Sequence, residues 1–346
     1  MIARGLWTAL VGLAFCGCAS VPALLSSDPA EEIRSFYVDG VGAPDCSVAI
    51  VHGGKTRFAG DPHALYRIGS LTKVFVAAAA DRLSSRGAFD LDAPVSSASS
   101  YSLAPEYSRV TMRELMEHRS GMPRDFLNPW NPLDWHVAFM AGLLGAHLYR
   151  DFDGRADFEA ECNSRRTLSF LRDGVPQYSN VGFALFATAM EEATGRSMEE
   201  IVRAEVTRPQ GLADTTFEPD AAQAARLTAP CAGKLPWLAR KKSKVDEHRL
   251  GPALIGMGGM YSSAADCAAF FSKPENLKPG RMHEKTLPSG RRINFRFGMI
   301  YGGAAFVCRD EVSDATLVIL RNVTSWPASE DYDLADRLFS RLEKGN

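Results

Sequence analysis

Hydrophobic and polar positions divide this 346-residue chain into strand-like ends and a helical middle. A charge-free run from Gly5 to Val21 follows the single basic residue Arg4 and closes on small residues. That is the layout of a secretory signal peptide; a retained span would need a charged stop on its far side. Cys46–His52 is a continuous apolar strand ended by Gly53-Gly54, and Lys55–Ala59 reads as its hairpin partner. From Ser70 the pattern becomes an Ala-rich helix former stopped by Gly87. Thr111-Met-Arg-Glu114 is a capping box opening a short helix that ends near Gly121. Asn180 to Ala193 is amphipathic and closed by Thr194-Gly195, and Ser197–Glu200 and Ser263–Asp266 cap two further helices. Strands return at Ile293–Met299, Ala305–Arg309 and Thr316–Arg321, and a last helix covers about Asp331–Lys344.

Strands at both ends and helices between them predict one antiparallel sheet built from the two termini, with a helical insertion. The expected sheet lobe is 41–95 plus 255–346 and the inserted helical lobe 96–254, after an N-terminal anchor or linker over 18–40. No internal repeat is visible. Val137–Ala146 carries no charge and has Trp130, Trp135, Phe139 and Tyr149 in or around it. It reads as a buried helix or as a hydrophobic lid, and is too short to span a bilayer. The basic run Arg240–Lys244 reads as a solvated loop, with contact to anionic lipid or glycan as the alternative.

Charge changes the picture by exclusion. Lys+Arg 39 against Asp+Glu 41 leaves a net −2, without the basic excess of a nucleic-acid binder. The chain has 7 Cys; removing residues 1–17 takes away Cys16. The stretch Phe15-Cys16-Gly17-Cys18 resembles a bacterial lipoprotein signal in which Cys18 becomes the lipidated first residue, although Phe15 departs from the usual Leu or Val. A plain cleaved signal and an uncleaved anchor are the alternatives. The expectation is an exported protein on the periplasmic face of a membrane, or soluble in the periplasm. Cys46, Cys162, Cys231, Cys267 and Cys308 remain for the fold, an odd number that leaves at least one thiol unpaired. The 7 His are scattered, with no HxxxH pair and no HExxH, so no metal site is expected.

Ser70-Leu-Thr-Lys73 is the chemical candidate. Ser70 opens a helix, where backbone N–H groups and the helix dipole favour developing negative charge. Lys73 follows one turn later on the same face, close enough to take part in proton removal if its environment favours the neutral form. The pattern alone is weak, because an N-cap serine and a surface lysine produce it too.

Its surroundings strengthen it. Tyr178-Ser-Asn180, Leu115-Met-Glu-His118-Arg-Ser-Gly121-Met-Pro123, Gly211-Leu-Ala-Asp214-Thr-Thr-Phe217 and Gly258-Gly-Met-Tyr261-Ser-Ser-Ala-Ala-Asp266 follow in order and span most of residues 40–340. Together with Ser70-x-x-Lys73 the chain resembles the penicillin-recognising serine hydrolases: class C β-lactamases, D-Ala-D-Ala carboxypeptidases and related esterases. The resemblance implies an α+β, β-lactamase/transpeptidase-like fold with a five-stranded antiparallel sheet flanked by helices. It implies an acyl-enzyme on Ser70, with Lys73 and Tyr178 sharing the proton, Asn180 on the substrate amide or on Lys73, and no cofactor. The substrate would be a small molecule or peptide with a carbonyl to acylate the serine, and the default state a monomer. The third family motif, Lys-Thr-Gly or His-x-Gly, has no plain match. Arg296-Phe297-Gly298 fits best; Tyr301-Gly302-Gly303 and Lys285-Thr286-Leu287 compete. In the first placement Met299 supplies the second oxyanion N–H and Arg296 faces a substrate carboxylate. A non-catalytic relative that binds cell-wall fragments or a partner is the alternative function.

Overall fold

A computed structural model describes residues 21–41, 43, 45–124, 152, 154–164, 177–231, 250–278, 280–300, 302–323 and 329–344. The leader with Cys18, the apolar 134–150 segment, the 240–244 run and Tyr301 lie outside the described residues. Among the described residues no helix is long and apolar enough to cross a membrane.

The strands are β1 (Cys46–His52), β2 (Lys55–Ala59), β3 (Tyr66–Arg67), β4 (Tyr261–Ser262), β5 (His283–Thr286), β6 (Arg292–Ile300), β7 (Gly303–Asp310) and β8 (Ala315–Arg321). The main helices are α1 (Pro29–Ser35), α2 (Thr72–Ser85), α3 (Met112–Met116), α4 (Arg155–Ser164), α5 (Asn180–Thr194), α6 (Met198–Val202), α7 (Ala264–Phe271) and α8 (Ser329–Lys344). The α+β fold and the antiparallel sheet agree with expectation, but the sheet has six strands rather than five, in the order β2-β1-β8-β7-β6-β5. The unforeseen strand is β5, His-Glu-Lys-Thr, exposed at every position, so it carries no alternation to read. Beside the main sheet, β3 and β4 form a two-residue pair.

Strands from opposite ends of the chain meet at β1–β8, where Val48 faces Ile319 and Ile50 faces Leu317. Alternation sorts the side chains to two faces. Val48, Ile50, Phe306, Cys308, Leu317 and Ile319 pack into one cluster with Leu334, Leu338 and Phe339 of α8. Ala49, Ala305, Val307, Val318 and Leu320 pack on the opposite face with α2, α5 and α7. Because β7 and β8 are buried on both faces, they read in sequence as unbroken apolar runs. Helix α2 is buried at every position from Thr72 to Ala80. A helix apolar all round belongs inside a protein, which is why Ala dominates it. Within the 18–40 segment, α1 is capped by Asp28, whose Oδ1 accepts the Ala30 N–H at 3.2 Å, and it packs on β1.

Under α8, Arg321 reaches both oxygens of the fully buried Asp331, each at 3.1 Å, and Tyr37 donates to the same carboxylate. This ties the sheet, the C-terminal helix and the N-terminal segment together. The expected capping box is present at Thr111–Glu114, and the expected caps at Ser197 and Ser263 are present too, the first as a full capping box with Glu200. Gly195 closes α5 in the left-handed conformation.

Candidate active site

The site lies where the turn before α2 meets the open edge of β6. Strand β5 pairs β6 only from Arg292 to Phe295, leaving the edge beyond it unpaired by sheet. Residues Gly69–Leu71 form a 3₁₀ turn that carries Ser70 into α2. Gly69 has φ +50°, and a Cβ there would lie 2.7 Å from the Met299 nitrogen. A Cβ on Gly298 would lie 2.0 Å from the Ile68 carbonyl oxygen. Only glycine at both positions lets the β6 backbone press against the serine turn. The close approach selects Arg296-Phe297-Gly298 as the segment beside Ser70. Lys285 instead sits over the Tyr332 ring of α8, at 4.6 Å from its centroid, on the opposite side of the sheet. Gly302 packs against Pro230 and Gly303 against the Arg67 carbonyl.

Ser70 is half-buried, with its hydroxyl held from two sides. Lys73 Nζ donates to Ser70 Oγ at 3.2 Å and to the Met257 carbonyl at 2.5 Å, and Tyr178 Oη donates to Ser70 Oγ at 2.7 Å. Lys73 is only 2% exposed and is no surface lysine. Tyr178 arrives immediately before α5, capped by Ser179, whose Oγ accepts the Gly182 N–H at 2.8 Å. Asn180, the first residue of α5, is buried, and its backbone N–H donates to the Arg124 carbonyl at 2.7 Å.

Cations crowd this tyrosine. Lys73 Nζ lies 5.1 Å from the ring centroid, the Arg296 guanidinium 5.2 Å and the Arg124 guanidinium 5.4 Å. Burial alone raises a phenol's pKa. Here the Lys73 and Arg296 charges, with hydrogen bonds to Lys73 and Ser70, outweigh it and hold Tyr178 below the ordinary value.

Arg296 corrects an expectation. It is 2% exposed and does not open toward a substrate carboxylate. Its Nη1 donates to the Arg281 carbonyl at 3.1 Å and to His283 Nε2 at 3.2 Å, and it hydrogen-bonds Tyr178. Strand alternation sends Phe297 into the cluster under α8, away from Ser70.

Two histidines belong to the site and were not assigned from sequence. His118 is buried, has φ +59°, and its ring centroid is 4.5 Å from that of Tyr178. Its Nδ1 accepts the Ser179 N–H at 3.2 Å, and its carbonyl accepts the Gln177 N–H at 2.7 Å, so it brackets Tyr178 from both sides in sequence. Burial and the charges of Arg296 and Lys73 hold it well below the usual imidazole range, hence neutral. It lies inside the Leu115–Pro123 stretch, which was its available signal. His283 heads β5 with no sequence signal at all; desolvation and the Arg296 charge push it down to about 4.

An antiparallel sheet with helices on both faces and a Ser-x-x-Lys turn at its edge defines the class of serine β-lactamase-fold hydrolases. A β-lactamase family model matches residues 33–335, and the chain belongs to that family, which includes carboxypeptidases, esterases and β-lactamases. The chain is 25% identical over 272 residues to the D-alanyl-D-alanine-carboxypeptidase/endopeptidase AmpH of Escherichia coli K12, covering 68% of this chain and 60% of AmpH. It is 28% identical over 269 residues to the esterase EstB of Burkholderia gladioli, covering 68% of this chain and 64% of EstB. The match thus spans less than two thirds of either relative. Among solved structures, a class C β-lactamase from Rhodobacter sphaeroides superposes with TM-score 0.67 at 17% identity, over 91% of this chain and 99% of that one. The D-amino acid amidase from Ochrobactrum anthropi gives 0.69 at 19% identity, over 92% and 99%. These two likenesses are of fold.

Proposed function

We propose that the protein is an exported serine hydrolase that cleaves an ester or amide through an acyl-enzyme on Ser70. The observation that carries the reading is the Ser70 hydroxyl held between Lys73 Nζ and Tyr178 Oη, at 3.2 and 2.7 Å. In its ionised form, which the Lys73 and Arg296 cations favour, Tyr178 accepts the Ser70 proton as Oγ attacks the carbonyl carbon. The tetrahedral oxyanion is met by the backbone N–H groups of Ser70 and Met299, donors worth a few kcal/mol each. Collapse breaks the bond to the leaving oxygen or nitrogen, which takes the proton back from Tyr178. Water then repeats the sequence on the acyl ester and frees Ser70. Lys73 balances the charge of the Tyr178 phenolate when it forms, and Asn180 hydrogen-bonds the substrate amide or orients Lys73.

The sealed Arg296 and the turned-away Phe297 leave β6 without a cation or hydroxyl for a substrate carboxylate. That favours a neutral ester or amide over a β-lactam or a peptide with a free C-terminus. The exposed Arg124, 5.4 Å from the Tyr178 ring, favours a second reading, in which it takes the carboxylate of a D-Ala-D-Ala-type peptide. Export and the lipid anchor rest on the Phe15–Cys18 stretch; palmitate labelling that is lost in Cys18→Ala tests them.

The deciding experiment incubates the mature protein and Ser70→Ala with a fluorescent penicillin and with a short-chain nitrophenyl ester. Ser70-dependent turnover of the ester alone selects the neutral-substrate reading, and penicillin labelling selects the carboxylate one. No Ser70-dependent reaction with either leaves the non-catalytic binding protein.

A further inference from the structure

The residues just ahead of and at the start of β5 grip the site from behind. Arg281, buried, pairs with Asp81 on α2, and its carbonyl accepts from Arg296 Nη1. Two residues later His283 Nε2 faces the same Nη1 at 3.2 Å. A guanidinium nitrogen only donates, so Nε2 carries no proton and the ring is the Nδ1–H tautomer. The ring centroid lies 6.4 Å from that of Tyr178 and 5.5 Å from that of Phe295, its partner across the β5–β6 ladder.

We propose that His283 is a positioning residue: by accepting from Arg296 it keeps that guanidinium on Tyr178 and so keeps Tyr178 ready to take a proton. The proposal rests on the acyl-transfer reading for its kinetic consequence, but the placement of Arg296 stands apart from it. The charged and titratable groups around the pair are Tyr178, Lys73 from α2, His118 after α3, Arg281 ahead of β5 and Arg124 on the outer wall. Carboxylates on the adjoining elements are already held, Asp81 by Arg281, Glu284 by Arg292 and Glu117 by Arg119. No carboxylate therefore stands in for His283 as the second acceptor of Arg296 among these described groups. Because desolvation and the Arg296 charge push the imidazole down to about 4, it stays an acceptor at neutral pH.

The test is His283→Ala, His283→Gln and His283→Leu in the full protein. Tyr178 is titrated directly by ¹³Cζ-tyrosine NMR, its resonance assigned with Tyr178→Phe. Loss of the acceptor raises the Tyr178 midpoint by about one pH unit, the scale of a displaced neighbouring charge. Gln, which can accept through Oε1, restores most of it, and Leu, which cannot accept and adds no charge, raises it about as far as Ala. In kinetics the rising limb of kcat against pH moves with the midpoint while KM changes little. An unmoved midpoint in His283→Ala, or a midpoint that Gln fails to restore, overturns the proposal. If wild type shows no Ser70-dependent turnover, the functional reading fails on its own and the NMR midpoint still decides the role of His283.

Discussion

Replacing Lys73 by Met separates a catalytic lysine from a structural one. Lys73 is 2% exposed and hydrogen-bonds the Ser70 hydroxyl, the Met257 carbonyl and the Tyr178 side chain. Its Nζ lies 5.1 Å from the Tyr178 ring. At an effective dielectric near 20, unit charges about 5 Å apart interact by ~3 kcal/mol. At 1.36 kcal/mol per pKa unit that corresponds to ~2 units, and screening at a half-open site lowers it toward ~1. Lys73→Met therefore raises the Tyr178 pKa and lowers the phenolate fraction by about ten- to a hundredfold at neutral pH. With the lost hydrogen bond to Ser70, the drop in kcat should reach ~10² to 10⁴, the range of general-base loss. Stability should move the other way or not at all. Met is close in length and removes the cost of desolvating a buried ammonium, which offsets lost hydrogen bonds of about 1 kcal/mol each. The assay pairs ester turnover across pH with thermal melting. The expected result is a large rate loss, a rising limb displaced to higher pH, and an unchanged or higher Tm. Near wild-type turnover, or a Tm lowered in step with activity, would refute the reasoning.

Three further outcomes are expected. Gly298→Ala puts a methyl 2.0 Å from the Ile68 carbonyl oxygen, so β6 must back away from Ser70; turnover should fall at least ~10²-fold as the second oxyanion donor is lost, with ~1–3 kcal/mol of destabilisation read by denaturant melts. Asp266, pushed up to about 6 chiefly by burial, favours the folded state in its protonated form; that contribution is complete below the unfolded value near 3.8 and is lost as pH rises through about 6. Asp266→Asn should flatten the fall in stability between these values, up to ~3 kcal/mol in wild type, while a slope identical to wild type would assign the titration elsewhere. Arg321→Met leaves Asp331 buried without its bidentate partner and should cost ~3–5 kcal/mol in urea melts, with kcat of the folded fraction unchanged because the pair lies under α8.

The degree to which the chain discloses itself depends on how local the signal is. Strands β1, β6, β7 and β8 and helices α2, α5 and α8 were legible because burial imprints an apolar run or a period on contiguous residues, and β2 because Gly53-Gly54 marks it as the hairpin partner of β1. The β5 strand was not, because His-Glu-Lys-Thr is exposed along its length and owes its conformation to pairing with β6. The same contrast holds within the site. Ser70, Lys73 and Tyr178 stand in short stretches that resemble the family's motifs, and the resemblance marked them. His283 stands in none, and only the β5–β6 register brings it to Arg296.

By itself the amino-acid sequence pointed to the α+β class and the union of both chain ends in one sheet through its hydrophobic pattern, and to the Ser70–Lys73 pair through the ordered motifs that resemble the serine hydrolase family. The tertiary structure decided which of three segments lies beside the serine, through two glycines that allow backbones to approach within a Cβ's width. It also decided where Arg296 points. In sequence a cation before a glycine reads as a substrate ligand. In the fold, strand alternation and the β5 edge bury it behind Tyr178, because the direction of a side chain on a strand is set by what packs on each face.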